Sequence, residues 1–306
     1  VDADTVIASN TSALPISTLA SFAAHPERFI GTHFFSPVER MPLVEIIRGE
    51  HTADSTWAQA LDLAAALKKT PITVNDGPGC ITSRFIGAFI TASLDMVESG
   101  VNPALVENGA RMVGMPMGAL LISDTIGLDL SHQAGVSQAI ARGEQPPHGI
   151  IAKLVVDHDR VGAKCGRGFY EHAEEGTRNL WPGLSALLPT LDNQPSIDVV
   201  KARILYAQLA EGARAFAEGV LLDVVDGDLG ATLGVGFPAF YGGPFSAMDT
   251  LGIAHVIERC DALQQQYGDL YAVPQLLRNM VAAGSTFYGE QAIASPGAAQ
   301  RAQVSS

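Results

Sequence analysis

Residues 29–47 read FIGTHFFSPVERMPLVEII, and this stretch decides the fold class. Two apolar runs, 29–35 and 43–47, flank a polar turn, as is typical of two strands joined by a loop. Further apolar runs at 5–8 and 71–74 predict two more strands, and helical patterns lie between several of the strands. Strands separated by helices predict an open, partly parallel sheet of the α/β class.

Two helices are expected around these strands. The first is predicted from Ile16 until Pro26, and the second begins after a possible cap at Asp54-Ser55. Apolar residues recur at helical spacing in this second segment: Trp57, Leu61, Ala64 and Leu67.

The pattern of hydrophobic residues changes after Pro78. Long amphipathic helical patterns replace the strand patterns, and no convincing strand is predicted there. Helical segments are predicted from Ile81 to about Tyr170 and over 196–288. The polar, proline-bearing stretch 174–195 between them is predicted to be a linker. The tail 289–306 contains too few apolar residues to pack and is predicted to be disordered.

The two helical segments resemble each other, which indicates an internal duplication. Gly114-Met115-Pro116 followed by Asp124-Thr125-Ile126-Gly127-Leu128 recurs as Gly236-Phe237-Pro238 followed by Asp249-Thr250-Leu251-Gly252-Ile253. The alternative to a duplication is that glycine and proline interrupt the helices at similar positions by chance.

Composition excludes several classes of function. The 306 residues are 47% hydrophobic and 17% charged, which predicts a folded chain of about two domains. The net charge of −13 disfavours binding to nucleic acid or to an anionic bilayer. Acidic residues interrupt the apolar runs well before the roughly 20 residues that a transmembrane helix needs.

The three cysteines lie far apart, at Cys80, Cys165 and Cys260, with no C-x-x-C spacing. This pattern predicts no disulfide framework and no metal site, and it favours reduced thiols in a cytoplasmic compartment.

The chain starts Val1-Asp2-Ala3-Asp4-Thr5, with no Met and no signal-peptide pattern. We interpret it as a fragment whose N-terminal part is missing. A glycine-rich G-x-G-x-x-G motif is absent, but that motif follows the first strand of a dinucleotide-binding fold, which a fragment would lack. Its absence is therefore weak evidence against cofactor binding.

His33 and Glu45 are the candidate chemical pair. His33 stands at the end of one predicted strand, and Glu45 lies in the next, so a strand–loop–strand return can bring them together. An imidazole beside a carboxylate is a common general-base arrangement. The alternatives are a structural histidine and a glutamate on the solvent face of its strand, and the polar run 9–12 can be a simple turn.

Several motifs closely resemble the 3-hydroxyacyl-CoA dehydrogenase family. They are ASNTS at 8–12, GTHFFSPVERMPLVE at 31–45 and NDGPG at 75–79. Two more motifs resemble that family's C-terminal domain: GMPMG at 114–118 with Asp124, and KCGRGFY at 164–170. The second repeat, with GFPAFYGG at 236–243, is similar to the duplicated domain of multifunctional fatty-acid oxidation α-subunits. The resemblance covers about residues 5–288.

The resemblance implies a domain plan. It comprises the C-terminal portion of an NAD-binding Rossmann domain at 1–77 and a helical dehydrogenase domain at 78–173. The linker at 174–195, a second helical copy at 196–288 and the tail at 289–306 complete the plan.

The resemblance also implies NAD-dependent oxidation of (S)-3-hydroxyacyl-CoA to 3-ketoacyl-CoA in fatty-acid β-oxidation. His33 would be the general base, and Glu45 would orient and stabilise its imidazole. Ser12 would lie near the nicotinamide and the substrate oxygen. The other implied contacts are Ser36 and Lys164 to the cofactor and Ser83 to the substrate.

Three positions depart from the family pattern. Ser36 and Ser83 stand where many members have Asn, which shortens the reach of both side chains. Short hydroxyl residues there resemble the trifunctional-protein α-subunit branch. Cys80 stands where an aromatic residue is usual.

Partners follow from the same resemblance. A second helical copy can take the place of a dimer partner, which makes a complex with a thiolase β-subunit the expectation, and an enoyl-CoA hydratase domain can precede the chain. On its own, such a fragment is expected to be a poor catalyst. The rival functions are a dehydrogenase of short hydroxyacyl-CoA or hydroxy acids and a non-catalytic assembly module of the oxidation complex.

Overall fold

The computed structural model describes residues 2, 5–12, 14–77, 79–142, 145, 148–173 and 176–294, except for the side chains of 137, 138, 141 and 142. Most of the predicted disordered tail, residues 295–306, lies outside the described part. The described part divides into two compact units. One contains the described residues of 1–88 together with 206–294, and the other contains those of 89–205.

The first unit is built on a four-stranded sheet of order β1-β2-β3-β4. Its strands are β1 (Ile7–Ser9), β2 (Phe29–Phe34), β3 (Leu43–Arg48) and β4 (Thr70–Asn75). The pairs β1–β2 and β3–β4 are parallel, whereas β2 and β3 are antiparallel. The predicted, partly parallel sheet is confirmed, and its antiparallel register places His33 directly opposite Glu45.

Helices cover both faces of this sheet. α1 (Ile16–Ala20) lies over Gly31, where an added Cβ would come within 2.8 Å of the Ile16 side chain. α2 (Asp54–Ala66) packs against the opposite face and buries three residues against the sheet: Trp57, Ala60 and Ala64. A sheet buried on both faces explains why β3 is apolar almost throughout.

The two predicted helices differ in detail from the observed ones. α1 ends at Ala20, and a separate 3-10 turn occupies Pro26–Arg28. Neither Asp54 nor Ser55 caps α2, because the N-cap position is Ala53, and Asp54 instead pairs with Arg48. Leu67 follows the helix and is half exposed.

α3 (Ile81–Glu98) begins in the first unit and ends in the second. The second unit continues with α4 (Pro103–Val113), α5 (Ala119–Ile126), α6 (Leu128–Arg142) and α7 (Ile150–Ala152), which runs into a π-helical turn. A hairpin of β5 (Tyr170–His172) and β6 (Arg178–Leu180) and the short α8 (Leu184–Leu187) complete it.

The expectation of no strand after Pro78 is therefore wrong, because three-residue strands are too short to show an alternating pattern. The stretch predicted as a linker is also ordered within the second unit. It contains β6 and α8, it buries Leu184 and Leu188, and the Gln194 side chain donates to the Gly100 carbonyl. Residues 174 and 175 of this stretch lie outside the described part.

α9 (Ile197–Ala217) leads from the second unit back to the first. There the chain forms α10 (Val224–Leu229) with a π-helical turn at Gly230–Gly234, α11 (Pro244–Leu251), α12 (Ile253–Tyr267) and α13 (Gln275–Ala283). This second set of helices packs on the sheet. The Asn75 backbone N–H donates to the Val220 carbonyl. An added Cβ at Gly230 would lie 2.8 Å from the Ile72 side chain. Within the described residues, none of the helices combines the length and apolar character that crossing a bilayer requires.

Candidate active site

The site is centred on His33 and Glu45, which lie side by side on β2 and β3. The His33 Nδ1 and the Glu45 Oε2 are 3.1 Å apart. Glu45 is fully buried, and only 11% of the His33 side chain is exposed. The predicted juxtaposition is therefore present. The solvent-face alternative for Glu45 is wrong, because β3 is covered on both faces.

Glu45 is anchored by the start of α3. Its Oε1 accepts the Ile81 backbone N–H at 2.6 Å, and its Oε2 accepts the Thr82 hydroxyl at 2.7 Å. A carboxylate at a helix N-terminus satisfies an otherwise unpaired N–H and is favoured by the helix dipole. These bonds hold Glu45 as a hydrogen-bond acceptor, so the His33 Nδ1 is the donor and its Nε2 carries the lone pair.

Cys80 completes a cluster that the sequence analysis missed. One ring nitrogen of His33, one carboxylate oxygen of Glu45 and the Cys80 Sγ all lie within 4.8 Å of one another. Burial and the nearby Glu45 raise the pKa of the Cys80 thiol. No local sequence pattern indicates that Cys80 lies beside the His33–Glu45 pair, because α2 and β4 separate Cys80 from Glu45 along the chain.

The polar run 9–12 passes beside this cluster. The Asn10 side chain accepts the Phe34 N–H at 2.9 Å, next to His33. The Cys80 thiol donates to the Thr11 carbonyl at 3.6 Å, and the Ser83 hydroxyl donates to the Ser12 carbonyl at 3.3 Å. Ser12 is exposed. The structure thus pairs His33 with Glu45 and joins Ser83 to the Ser12 backbone. The roles implied for these residues stay predictions.

Ser36 and Lys164 are placed differently. Ser36 is exposed, three residues after His33, and precedes Pro37 through a cis peptide bond. Lys164 belongs to the second unit, where its ammonium group pairs with Asp129.

The comparisons with known proteins bear on the whole arrangement. Residues 1–77 match the model of the 3-hydroxyacyl-CoA dehydrogenase NAD-binding domain, and residues 79–172 match that of the 3-hydroxyacyl-CoA dehydrogenase C-terminal domain. The chain belongs to the 3-hydroxyacyl-CoA dehydrogenase family.

Curated relatives of similar sequence are subunits of fatty acid oxidation complexes. The chain is 36% identical over 289 residues to the fatty acid oxidation complex subunit alpha of Shewanella loihica. That alignment covers 93% of this chain but only 40% of the relative, so the chain spans less than half of that protein's length.

Two solved structures are also similar. The 3-hydroxybutyryl-CoA dehydrogenase of Escherichia coli shares the fold, with a TM-score of 0.72 and 22% identity over 91% of this chain and 75% of that one. The (S)-3-hydroxybutyryl-CoA dehydrogenase of Ralstonia eutropha is 33% identical with a TM-score of 0.51, over 56% of this chain and 62% of that one.

The residues around His33 fit the nicotinamide end of an NAD cofactor. Asn10 and Ser12 are exposed and follow the carboxyl end of β1, the position where open α/β sheets bind their ligands. They offer neutral amide and hydroxyl groups, which suit a neutral carboxamide.

Proposed function

We propose that this chain carries the dehydrogenase centre of a fatty-acid oxidation enzyme, which oxidises (S)-3-hydroxyacyl-CoA to 3-ketoacyl-CoA with NAD⁺. The observation that carries the proposal is the buried His33–Glu45 pair, with Glu45 fixed by the N-terminus of α3. Family membership and the polar groups at 10–12 support it.

His33 takes the proton from the substrate's 3-hydroxyl at Nε2. Nδ1–H stays bonded to Glu45, whose negative charge stabilises the imidazolium that forms. Because Glu45 already accepts two further hydrogen bonds, from Ile81 and Thr82, it does not need to move during the reaction. The chemistry that NAD⁺ would supply here is that of an acceptor for the hydride on the substrate's C3.

The remaining residues bind and orient the ligands. Ser12 would lie near the nicotinamide and the substrate oxygen, and Ser83, whose hydroxyl donates to the Ser12 carbonyl, would contact the substrate. By resemblance to the family, Ser36 and Lys164 would contact the cofactor. The short hydroxyls of Ser36 and Ser83 reach less far than the amides usual in the family, so bridging water would complete these contacts.

The domain plan proposed from the sequence assigns 1–77 to the NAD-binding domain, 78–173 to the first helical domain and 196–288 to the second. A complex with a thiolase β-subunit is the proposed assembly, supported by the name of the Shewanella relative as a complex subunit. Three free cysteines among the described residues agree with a cytoplasmic location.

The test is the oxidation of NADH with acetoacetyl-CoA by the intact protein and by its His33→Gln variant. Because a positioned general base contributes about 10²–10⁴-fold, we expect the variant to lose at least about a hundredfold in kcat. His255→Gln is the matched control, since His255 lies half exposed on α12.

A His33→Gln variant that turns over at the parental rate would refute the role of His33. A folded parent with no turnover, which still assembles with its partner, would favour the non-catalytic assembly module. Strong preference for a four-carbon over a long acyl chain would favour the short-chain dehydrogenase.

A further inference from the structure

The cluster of His33, Glu45 and Cys80 has a second chemical capability besides proton transfer. Its three potential ligand atoms come from β2, from β3 and from the turn before α3, and all lie within 4.8 Å of one another. His33 and Cys80 are each 8–9% exposed, so the cluster is enclosed but reachable from solvent.

The donor set is an imidazole nitrogen, a carboxylate oxygen and a sulfur. Mg²⁺ and Ca²⁺ prefer oxygen ligands throughout, whereas Zn²⁺ takes nitrogen, sulfur and carboxylate oxygen together. Three protein ligands with one position left for water is a common zinc arrangement. We propose that His33, Glu45 and Cys80 form a binding site for a thiophilic divalent cation such as Zn²⁺, and that a bound cation blocks the general base.

The geometry needs only a small closure. Zinc bonds of about 2.0–2.3 Å place tetrahedral ligand atoms about 3.6 Å apart. The widest separation in the cluster must therefore shorten by about 1 Å. Glu45 is held by Ile81 and Thr82 and already lies 3.1 Å from the His33 Nδ1, so it is the Cys80 side chain that closes toward this pair.

The charges also balance. The Cys80 thiol releases its proton to solvent as the sulfur–metal bond forms, so Glu45 and Cys80 together supply two negative charges against the two positive charges of the cation. A neutral complex suits an enclosed site, where an uncompensated charge is costly.

Occupation by the cation removes the base, whichever nitrogen it binds. On Nε2, the metal takes the lone pair that would accept the substrate proton. On Nδ1, it displaces the proton, and Nε2 becomes an N–H donor that cannot accept another proton.

The binding test uses Co²⁺ as a spectroscopic probe of the metal-free protein. We expect one equivalent to produce a thiolate-to-cobalt charge-transfer band in the near ultraviolet and the visible bands of a tetrahedral ion. Cys80→Ser should lose the charge-transfer band and bind at least about tenfold more weakly. Cys165→Ser is the matched control, because Cys165 is an exposed free thiol that should have no part in the site.

Zn²⁺ should displace Co²⁺ and bleach the bands, and it should inhibit the parent more strongly than Cys80→Ser. Circular dichroism establishes that each variant is folded. A charge-transfer band that survives in Cys80→Ser, one that disappears in Cys165→Ser, or no binding by the folded parent would overturn the proposal. Because the spectra need no turnover, they give a result even if the proposed dehydrogenase activity is absent.

Discussion

Thr82 is the residue on which the orientation of the His33–Glu45 pair depends. Its hydroxyl donates to Glu45 Oε2 at 2.7 Å, the same oxygen that lies 3.1 Å from His33 Nδ1. Thr82 is fully buried, so water cannot replace its hydroxyl without rearrangement. Together with the Ile81 N–H on the other oxygen, it prevents the carboxylate from rotating.

Replacing Thr82 by Val keeps the shape of the side chain but removes this donor. A hydrogen bond to a charged group contributes about 1.5–3 kcal/mol, so we expect kcat/KM to fall roughly tenfold to a hundredfold. Thr82→Ser, which restores a hydroxyl, should recover most of the loss in the same steady-state assay. Equal kcat/KM values for the Val and Ser variants would show that Thr82 only fills space.

At this scale the sequence predicts part of the site. His33 and Glu45 lie twelve residues apart on neighbouring strands, so a single turn brings them together. Thr82 and Cys80 reach the pair only through the packing of α3 on the sheet. Such contacts depend on tertiary structure, and no local pattern encodes them.

Among the secondary-structure elements, several helices are capped by carboxylates from positions distant in the sequence. Asp76 accepts the first N–H groups of α1, Glu45 caps α3, and Glu98 accepts the Ile150 N–H of α7. Glu107 caps α5 in the same way, and Asp228 caps α11. Because the caps are remote, the familiar Ser/Thr/Asp/Asn signal directly before a helix is missing at these sites, which limits prediction of where they begin.

Gly118 precedes α5 and makes room for the Glu107 cap. A Cβ at Gly118 would lie 2.3 Å from the Glu107 carboxyl group, whereas a Cβ at Gly87, inside α3, would meet nothing within 4 Å. Gly118→Ala should therefore lower the free energy of unfolding by about 1–3 kcal/mol through overpacking and a disturbed cap.

Gly87→Ala is the control, and it should raise the free energy of unfolding by about 0.5–1 kcal/mol. Urea denaturation of both variants checks the pair. Similar effects of the two substitutions would contradict the steric argument.

Glu107 also predicts a pH dependence of stability. Burial raises its pKa above the ordinary value of 4.5, with smaller opposing contributions from Tyr170 and the α5 backbone. A carboxyl group whose pKa is raised on folding stabilises the protein fully below pH 4.5, and this contribution is lost as the pH rises through the raised pKa.

Glu107→Gln removes this titration. The free energy of unfolding of the parent, relative to that of Glu107→Gln, should therefore decrease from pH 4.5 toward neutrality. Urea denaturation across this pH range measures the difference. A difference that stays constant, or that grows with pH, would exclude a raised pKa for Glu107.

For the molecule as a whole, the internal duplication extends to individual hydrogen bonds. Asp124 accepts the backbone N–H groups of Phe169 and Tyr170 in the second unit. Asp249 accepts those of Phe287 and Tyr288 in the first unit. The match of Asp124 with Asp249 follows from the sequence motifs. The two Phe-Tyr pairs follow these aspartates at unequal sequence separations, so the motif comparison does not align them.

Each tyrosine then closes its own repeat. The Tyr170 hydroxyl donates to Glu107 at 2.6 Å, and the Tyr288 hydroxyl donates to Asp228 at 2.8 Å. Burial and the partner carboxylate raise the pKa of both phenols. Since Glu107 caps α5 and Asp228 caps α11, each hydroxyl connects the end of its repeat to a helix inside that repeat.

The two repeats nevertheless belong to different units. Residues 89–205 contain the first repeat's network, whereas the second repeat's network lies with the sheet. Within that unit, Val74 bridges to Leu221, and the Thr73 N–H donates to Asp226. The second repeat therefore stabilises the sheet that carries His33. The Tyr170–Glu107 bond should stabilise the second unit, and the equivalent Tyr288–Asp228 bond should stabilise the first.

Tyr170→Phe and Tyr288→Phe test this division. Each leaves a buried carboxylate without one donor, at a cost of about 1–3 kcal/mol, so amide exchange should accelerate by about tenfold or more where the network lies. Hydrogen exchange read by mass spectrometry should show the effect of Tyr170→Phe within 89–205. The effect of Tyr288→Phe should appear in 206–294 and in the strands of the sheet. If both substitutions accelerate exchange in the same peptides, the two repeats do not unfold as parts of separate units, and the duplicated bonds stabilise one cooperative structure.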